Sequence, residues 1–168
     1  NYTVSATFRE PHFMNRNDHP HPYGVFIGGN AMGTPRQTYL YCAAYGNGNF
    51  IVRGFGPAAF QMNGPRGGAN PAVHKAAGQG QPVTQEIALS VKGDKVECAI
   101  NGTVVASFAI PPTIPAGTQV QVLFTSFPAL TVVADAGRGR HQVEALRDRA
   151  QPALVLRRGE HQRQAQLG

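Results

Sequence analysis

Residues 82–110 read PVTQEIALSVKGDKVECAINGTVVASFAI, and this stretch decides the fold. Its apolar residues alternate with polar ones, which is the period of a half-buried β-strand. The pairs Gly93-Asp94 and Asn101-Gly102 divide the stretch into three segments, and such pairs suit the tight turns of β-hairpins. The stretch therefore predicts a meander of three antiparallel strands joined by two short turns.

The rest of the chain up to residue 134 continues the two-residue period. In Tyr2–Arg9 (YTVSATFR), every second residue from Tyr2 is apolar, which places the apolar side chains on one face of a strand. Residues 56–80 are crowded with Gly, Pro and Ala and predict a long loop with at most one poor strand. The other predicted strands are Tyr23–Gly28, Thr38–Tyr45, Asn49–Phe55, Gln119–Thr125 and Leu130–Ala134. This pattern predicts an all-β fold, a two-sheet antiparallel β-sandwich.

The composition bounds the domain organisation. A chain of 168 residues has the size of one domain with a tail, and 14% charged residues is far below the content of a coiled coil. The sequence has no apolar run long enough for a membrane-spanning helix, so we expect no membrane insertion. We predict a β-sandwich domain over residues 1–134 and a basic, poorly ordered tail over residues 135–168.

The net charge is shared between these two parts. Residues 1–134 carry 8 Lys and Arg against 5 Asp and Glu, and residues 135–168 carry 7 Arg against 4 acids, so each part contributes +3 to the total of +6. The tail contains no Phe, Tyr or Trp that would stack on bases. Because the body is close to neutral for its size, we expect no nucleic-acid partner.

Four segments of the body carry a family resemblance. They are NYTVSATF (1–8), HPHPYGVFIGG (19–29), TYLYCAAYGNGNFIVRGF (38–55) and KGDKVECAINGTVVASF (92–108). Together they resemble the concanavalin A-like lectin/glucanase superfamily, and within it the bacterial 3-keto-disaccharide hydrolase-like and LamG-like jelly-roll domains. The resemblance implies a concanavalin A-like jelly roll that lacks the first strand of the family, in a secreted or periplasmic protein.

The acidic residues argue against one glycosidase mechanism. Retaining glycosidases of this sandwich fold resemble one another in an E-x-D-x-E strand motif that places two carboxylates close together. This sequence contains no such triplet, and Asp94 and Glu97 are separated by an odd number of residues, which favours opposite facing. We therefore assign no catalytic residue. Glycoside cleavage is kept as the alternative that the resemblance to 3-keto-disaccharide hydrolases implies.

A tyrosine-rich strand supplies the candidate ligand-binding residues. Tyr39, Tyr41 and Tyr45 share one parity, and Arg53 lies in the neighbouring strand. Aromatic rings stack on the apolar faces of sugars, while Arg bonds to sugar hydroxyls. The same tyrosines would also suit the space between the sheets, but we prefer the outward orientation. The aliphatic residues of the opposite parity and Cys42 are better suited to a dry interior.

An unusual loop and two cysteines complete the candidate residues. Asp18, His19 and His21 lie in a Pro-rich loop whose imidazoles resemble a metal site, but no recognised ligand spacing accompanies them. We therefore keep them as loop candidates and predict neither a metal nor a cofactor. Cys42 and Cys98 lie on predicted strands, where they form either a disulfide or two buried thiols.

The function that these features predict is an extracytoplasmic, lectin-like module that binds a glycan or polysaccharide on the concave face of one sheet. The tyrosines and Arg53 would form the binding surface. A second alternative, beside the glycoside-cleaving enzyme, is a structural or interaction sandwich in a cell-surface or extracellular assembly.

Overall fold

The computed structural model describes residues 1–13, 21–31, 34–56, 60–64, 66–110, 121–124, 131–135 and 153–155. The described residues contain the strands β1 (Tyr2–Glu10), β2 (Tyr23–Asn30), β3 (Thr38–Ala44), β4 (Asn49–Phe55), β5 (Phe60–Gln61), β6 (Gly68–Ala69), β7 (Val83–Lys92), β8 (Lys95–Ile100), β9 (Thr103–Ala109), β10 (Gln121–Phe124), β11 (Thr131–Asp135) and β12 (Ala153–Val155). Within these ranges, no helix has the length and apolar character needed to cross a membrane.

These strands form two antiparallel sheets. The first sheet has the strand order β11-β1-β7-β8-β9. The second has the order β12-β10-β2-β3-β4-β5, with β6 also paired to β4. The predicted all-β, two-sheet sandwich is therefore confirmed.

The meander forms as its sequence predicts. In the first sheet β7 pairs with β8 and β8 with β9, so that Leu89 lies opposite Cys98 and Ile87 opposite Ile100. Asn101 and Gly102 have φ angles of 50° and 79°, the left-handed region that this short turn requires. The two-residue period thus aligns the apolar residues of neighbouring strands on one face.

The core lies between the two sheets. Its fully buried side chains include Val4, Phe8, Ile87, Leu89 and Ile100 from the first sheet and Tyr23, Val25, Ile27, Leu40 and Val52 from the second. Each side chain of this size stabilises the fold by about 1.5–3 kcal/mol when buried. This apolar layer fixes the strand faces, because a register slip of one residue would turn every core side chain outward.

A disulfide joins the sheets through this core. Cys42 of β3 and Cys98 of β8 are bonded, with a Cα–Cα distance of 6.0 Å. The bond closes a loop between residues 56 positions apart, and a cross-link of that span is expected to contribute about 4 kcal/mol. Of the two alternatives left open by the sequence, the structure shows the bonded one.

Some elements differ from the sequence-based prediction. The predicted loop over residues 56–80 contains two short strands, β5 and β6, and Lys75 forms an isolated bridge with Asn47. Asn63 explains part of this order, because its side-chain amide accepts a hydrogen bond from the Val52 amide and donates one to the Phe50 carbonyl. A single asparagine therefore continues the hydrogen bonding of β4 as another strand would.

The C-terminal region is described in short pieces. β10 and β11 lie where the two last strands were predicted, and β12, within residues 135–168, pairs with β10. Apart from Asp135, which ends β11, the other tail residues lie outside the described residues. The predicted boundary between residues 134 and 135 and the disorder of the tail stay predictions.

Candidate functional site

The two faces of β3 have different environments. Leu40, Cys42 and Ala44 point into the core between the sheets. Tyr41 and Ala43 belong to a second apolar cluster on the opposite face, and Tyr39 and Tyr45 pack against that cluster. The outward orientation that we preferred for the tyrosines is therefore the one in the structure. The aliphatic and sulfur-containing side chains occupy the interior.

We call the outer surface formed by Phe26, Tyr39, Tyr41, Tyr45, Arg53 and Phe55 the aromatic face. Strand register brings these residues together: Phe26 lies opposite Tyr41 in β2–β3, and Tyr41 lies opposite Arg53 in β3–β4. Tyr39 lies opposite Phe55 in the same pair of strands. Three neighbouring strands thus contribute to one surface.

The rings of the aromatic face pack on one another. Tyr39 and Phe55 are stacked with ring centroids 4.8 Å apart, and Phe26 meets Tyr39 edge-on at 5.6 Å. Tyr41 lies 6.1 Å from Tyr39 and 6.4 Å from Phe55. Centroid distances between 4.5 and 7 Å are the favourable range for aromatic pairs. The rings therefore hold one another in fixed orientations.

Arg53 is the charged residue of this face. Its Cζ lies 5.9 Å from the centroid of the Phe55 ring, within the range of a cation–π contact. Its Nε is buried and has no hydrogen-bond partner, and the guanidinium forms no ion pair with a carboxylate of the described residues. An arginine in this state retains hydrogen-bonding capacity that the protein does not use.

Exposure across the aromatic face is uneven. Tyr41 is 7% exposed and Phe26 is fully buried, while Tyr39, Tyr45, Arg53 and Phe55 are half-buried. The exposed groove predicted for Tyr39, Tyr41 and Arg53 is thus wrong for Tyr41. This ring packs closely among its neighbours, so the accessible part of the face consists of Tyr39, Tyr45, Arg53 and Phe55.

The tyrosines of the aromatic face stay neutral at ordinary pH. Burial raises the pKa of Tyr39, Tyr41 and Tyr45 above the usual 10.0, and the positive charge of Arg53 partly opposes the rise in each. A hydrogen-bonding contact with Arg53 also lowers the pKa of Tyr41, against the effect of burial. The three hydroxyls therefore keep their protons and are available as hydrogen-bond donors.

A second polar cluster lies at one end of the core, around Gln85. This fully buried side chain accepts hydrogen bonds from the His74 amide at 3.0 Å and from the Asn101 side chain at 2.7 Å. It also donates one to the His74 carbonyl at 2.6 Å. Gln85 therefore ties the loop around His74 to the meander, which is a structural role.

Tyr23 and Glu10 are the buried titratable pair nearest to this cluster. Burial raises the pKa of Tyr23 first, and the charge of Glu10 raises it further. Both side chains are buried between the sheets, and Glu10 lies against Gly46, where an added Cβ would approach its Oε2 to 2.6 Å. This close packing favours a structural role for the pair.

The loop candidates fall partly outside the described residues. Asp18 and His19 lie there, and His21 is half-buried just before β2. Within the described ranges, no group of three or more His, Cys, Asp or Glu side chains is arranged to hold a metal ion. The role of this loop stays a prediction.

Two members of the aromatic face were missed by the sequence analysis. Phe55 shares strand parity with Arg53, and this signal alone would have placed it on the same face. Phe26 has no such signal, because its position beside Tyr41 depends on the pairing of β2 with β3. Strand register between distant segments is not contained in the local pattern.

The chain was also compared with known proteins. Solved structures similar to it include sheep galectin-11 in complex with glycerol, with a TM-score of 0.42, 12% identity and coverage of 79% of this chain and 91% of that one. Another is a mutant of the alginate lyase Aly36B in complex with alginate trisaccharide, with a TM-score of 0.40, 16% identity and coverage of 82% and 72%. No protein-family model and no curated protein matches the chain. Function is therefore inferred from the described residues themselves.

Proposed function

We propose that this protein is an extracytoplasmic carbohydrate-binding module that holds its glycan against the aromatic face. The observation that carries the proposal is the convergence of Tyr39, Tyr45 and Phe55 on an arginine with unused hydrogen-bonding capacity. Half-buried rings offer apolar surface to the C–H faces of a sugar. The phenol hydroxyls and the guanidinium offer hydrogen bonds to its hydroxyl groups.

The rigidity of the aromatic face supports binding. Tyr39 is held between Phe55 and Phe26, so its ring loses little conformational freedom when a ligand arrives. Binding surfaces gain affinity when their side chains are already ordered, because ordering a side chain costs about 0.5–1.5 kcal/mol. Placement on paired strands supplies this order more securely than a loop would.

The disulfide supports an extracytoplasmic location. Bonds such as Cys42–Cys98 form and persist in oxidising compartments, and they are rare where cytosolic thiols are kept reduced. A secreted or periplasmic module is the location in which this bond would be stable. Glycans of cell walls and extracellular matrices are the ligands available there.

One observation favours a second candidate function. Phe26 and Ile51 are buried although they lie on the outer face of the second sheet. These side chains are already covered within the chain, so the apolar surface that a partner protein could contact is formed by the half-buried Tyr39, Tyr45 and Phe55. A structural or interaction module of an extracellular assembly is therefore the alternative, and it requires no sugar site.

A binding experiment separates these candidates. The protein and its Tyr39→Ala variant would be screened on a glycan array, and each hit would be measured by isothermal titration calorimetry. We expect saturable binding that is weakened about tenfold in the variant, which corresponds to about 1.4 kcal/mol for the lost ring contact. Product analysis of each hit would detect cleavage and thereby test the enzyme alternative.

The matched control is Val104→Ala. Val104 is 53% exposed and lies on β9 of the first sheet, away from the aromatic face, so its truncation should leave binding unchanged. Equal loss in both variants would point to a general effect on folding. Absence of binding to every glycan would overturn the proposed function and favour the structural module.

A further inference from the structure

The charge of the aromatic face is not balanced within the face. Arg53 is surrounded there by the uncharged rings of Tyr39, Tyr41 and Phe55. No described carboxylate lies within ion-pair distance of its guanidinium. Lys92 provides a contrast, because this more exposed cation of the first sheet pairs with Glu97.

A buried and unpartnered guanidinium nitrogen costs free energy in the unliganded protein. Leaving a buried donor without a partner typically costs about 1–3 kcal/mol, and more when the group is charged. The Nε of Arg53 is such a donor. Because Arg53 is half-buried, a ligand would reach the accessible part of its guanidinium and not the buried Nε.

The chemistry of the missing partner follows from the shape of the guanidinium. Arginine presents its N–H groups in a planar fork that matches the two oxygens of a carboxylate. Aromatic walls exclude water and strengthen the attraction between opposite charges. A neutral sugar hydroxyl would satisfy one N–H group but would leave the positive charge uncompensated.

We propose that the ligand of the aromatic face is an acidic glycan, and that Arg53 binds the carboxylate of a uronic acid residue. This inference rests on the proposed carbohydrate-binding function and specifies its ligand class. The rings of Tyr39 and Phe55 would contact the sugar ring while the fork of Arg53 pairs with the carboxylate.

The neighbouring hydroxyls are compatible with an anion. Because the pKa values of Tyr39, Tyr41 and Tyr45 are raised, their hydroxyls keep their protons and would donate hydrogen bonds to a carboxylate instead of repelling it. The named side chains of the aromatic face include no acidic residue that would compete for Arg53. Both features favour a negatively charged group at this position.

The test compares sugars that differ only in the carboxylate. Oligogalacturonate and oligoglucuronate would each be titrated beside its carboxyl-reduced counterpart, in which the carboxylate is replaced by a hydroxymethyl group. We expect the acidic member of at least one pair to bind about tenfold or more tightly. The preference should decrease as salt is raised, since a partly exposed ion pair is screened.

The Arg53→Gln variant tests the assigned residue, with Arg9→Gln as the matched control. Arg9 is exposed on β1 of the first sheet, so this variant has the same change in net charge at a distant position. Arg53→Gln should abolish the preference for the acidic sugar, because the affinity for the acidic sugar should fall much more than the affinity for the reduced one. Arg9→Gln should retain the preference. Thermal unfolding of each variant would establish that it is folded.

The outcomes distinguish this inference from the proposed function. Equal binding of acidic and reduced sugars would overturn the uronate assignment while leaving carbohydrate binding intact. Preference for a sulfated neutral oligosaccharide over both uronates would overturn it in the same way. If Arg53→Gln lowered the affinity for the acidic and for the reduced sugar equally, Arg53 would not be the group that recognises the carboxylate. Absence of binding to every sugar would overturn both proposals.

Discussion

Gln85 and Arg53 are polar residues on the two sheets, and they differ in how their hydrogen-bonding groups are satisfied. Gln85 lies in the core, where its amide makes hydrogen bonds to His74 and Asn101. Arg53 lies on the aromatic face, where its buried Nε has no partner. Satisfied polar groups in a core specify structure, whereas a charged group with an unpartnered donor on the outer face of a sheet is a candidate contact for a ligand. The comparison teaches that burial alone does not identify a functional residue.

The largest effect on stability is expected from removing the disulfide, which joins the sheet that contains Gln85 to the sheet that contains Arg53. The double variant Cys42→Ala/Cys98→Ala should lose about 4 kcal/mol of unfolding free energy, because the cross-link between the sheets no longer restricts the unfolded chain. Urea denaturation of the variant and of the oxidised parent would measure this loss. The reduced parent is the control and should match the variant. An unchanged midpoint in both would contradict the assigned role of the bond.

The next prediction tests the contrast between the two polar residues directly. Gln85→Leu should lose about 2–3 kcal/mol, because the amide and carbonyl of His74 and the side chain of Asn101 lose buried partners. Arg53→Met should lose about 1 kcal/mol or less, because it removes the unpartnered Nε and keeps the apolar stem, while Tyr41 loses its hydrogen-bonding contact with the guanidinium. Urea denaturation of both variants measures the two values. A larger loss in Arg53→Met than in Gln85→Leu would reverse the assignment of structural and functional roles.

The smallest expected effect concerns alkaline pH. Burial raises the pKa of Tyr23 and of Tyr41, but Glu10 adds to the rise at Tyr23 while Arg53 opposes it at Tyr41. A tyrosine with a raised pKa stabilises the folded state fully below pH 10, where the unfolded phenol is still neutral. This stabilisation is lost as the pH rises through the folded pKa. Tyr23→Phe should therefore reduce the fall in unfolding free energy above pH 10 more than Tyr41→Phe does.

Chemical denaturation between pH 8 and 11 would measure this difference between the phenylalanine variants. Below pH 9 these phenols should add no pH dependence to the unfolding free energy of the parent or of either variant, because they are protonated in both the folded and the unfolded state. If the two substitutions changed the pH dependence equally above pH 10, the opposite effects assigned to Glu10 at Tyr23 and to Arg53 at Tyr41 would be contradicted.

The sequence predicted the elements of the fold better than the contacts between them. The meander followed from two turn pairs and an alternating pattern, and the orientation of Tyr39 and Tyr41 followed from the chemistry of the intervening residues. These are local signals. They depend on strand period and turn conformation, which a few neighbouring residues determine.

The missed features depend on residues that are distant along the chain. The place of Phe26 in the aromatic face depends on the register between β2 and β3. The buried state of Tyr41 depends on residues of the neighbouring strands, including Phe55, and the unpartnered state of the Arg53 Nε depends on every side chain near it. Local patterns do not specify such pairings, so the candidate residues were predicted without their exposure or partners.

The position of the disulfide along the chain also bears on biosynthesis. Cys42 emerges from the ribosome well before Cys98, so the bond has to wait until β8 has been synthesised. Cys42 would remain open to oxidants and to other thiols during the time needed to synthesise the residues between the two cysteines. Pulse alkylation of newly synthesised chains would therefore report, through the loss of this free thiol, when the two sheets assemble.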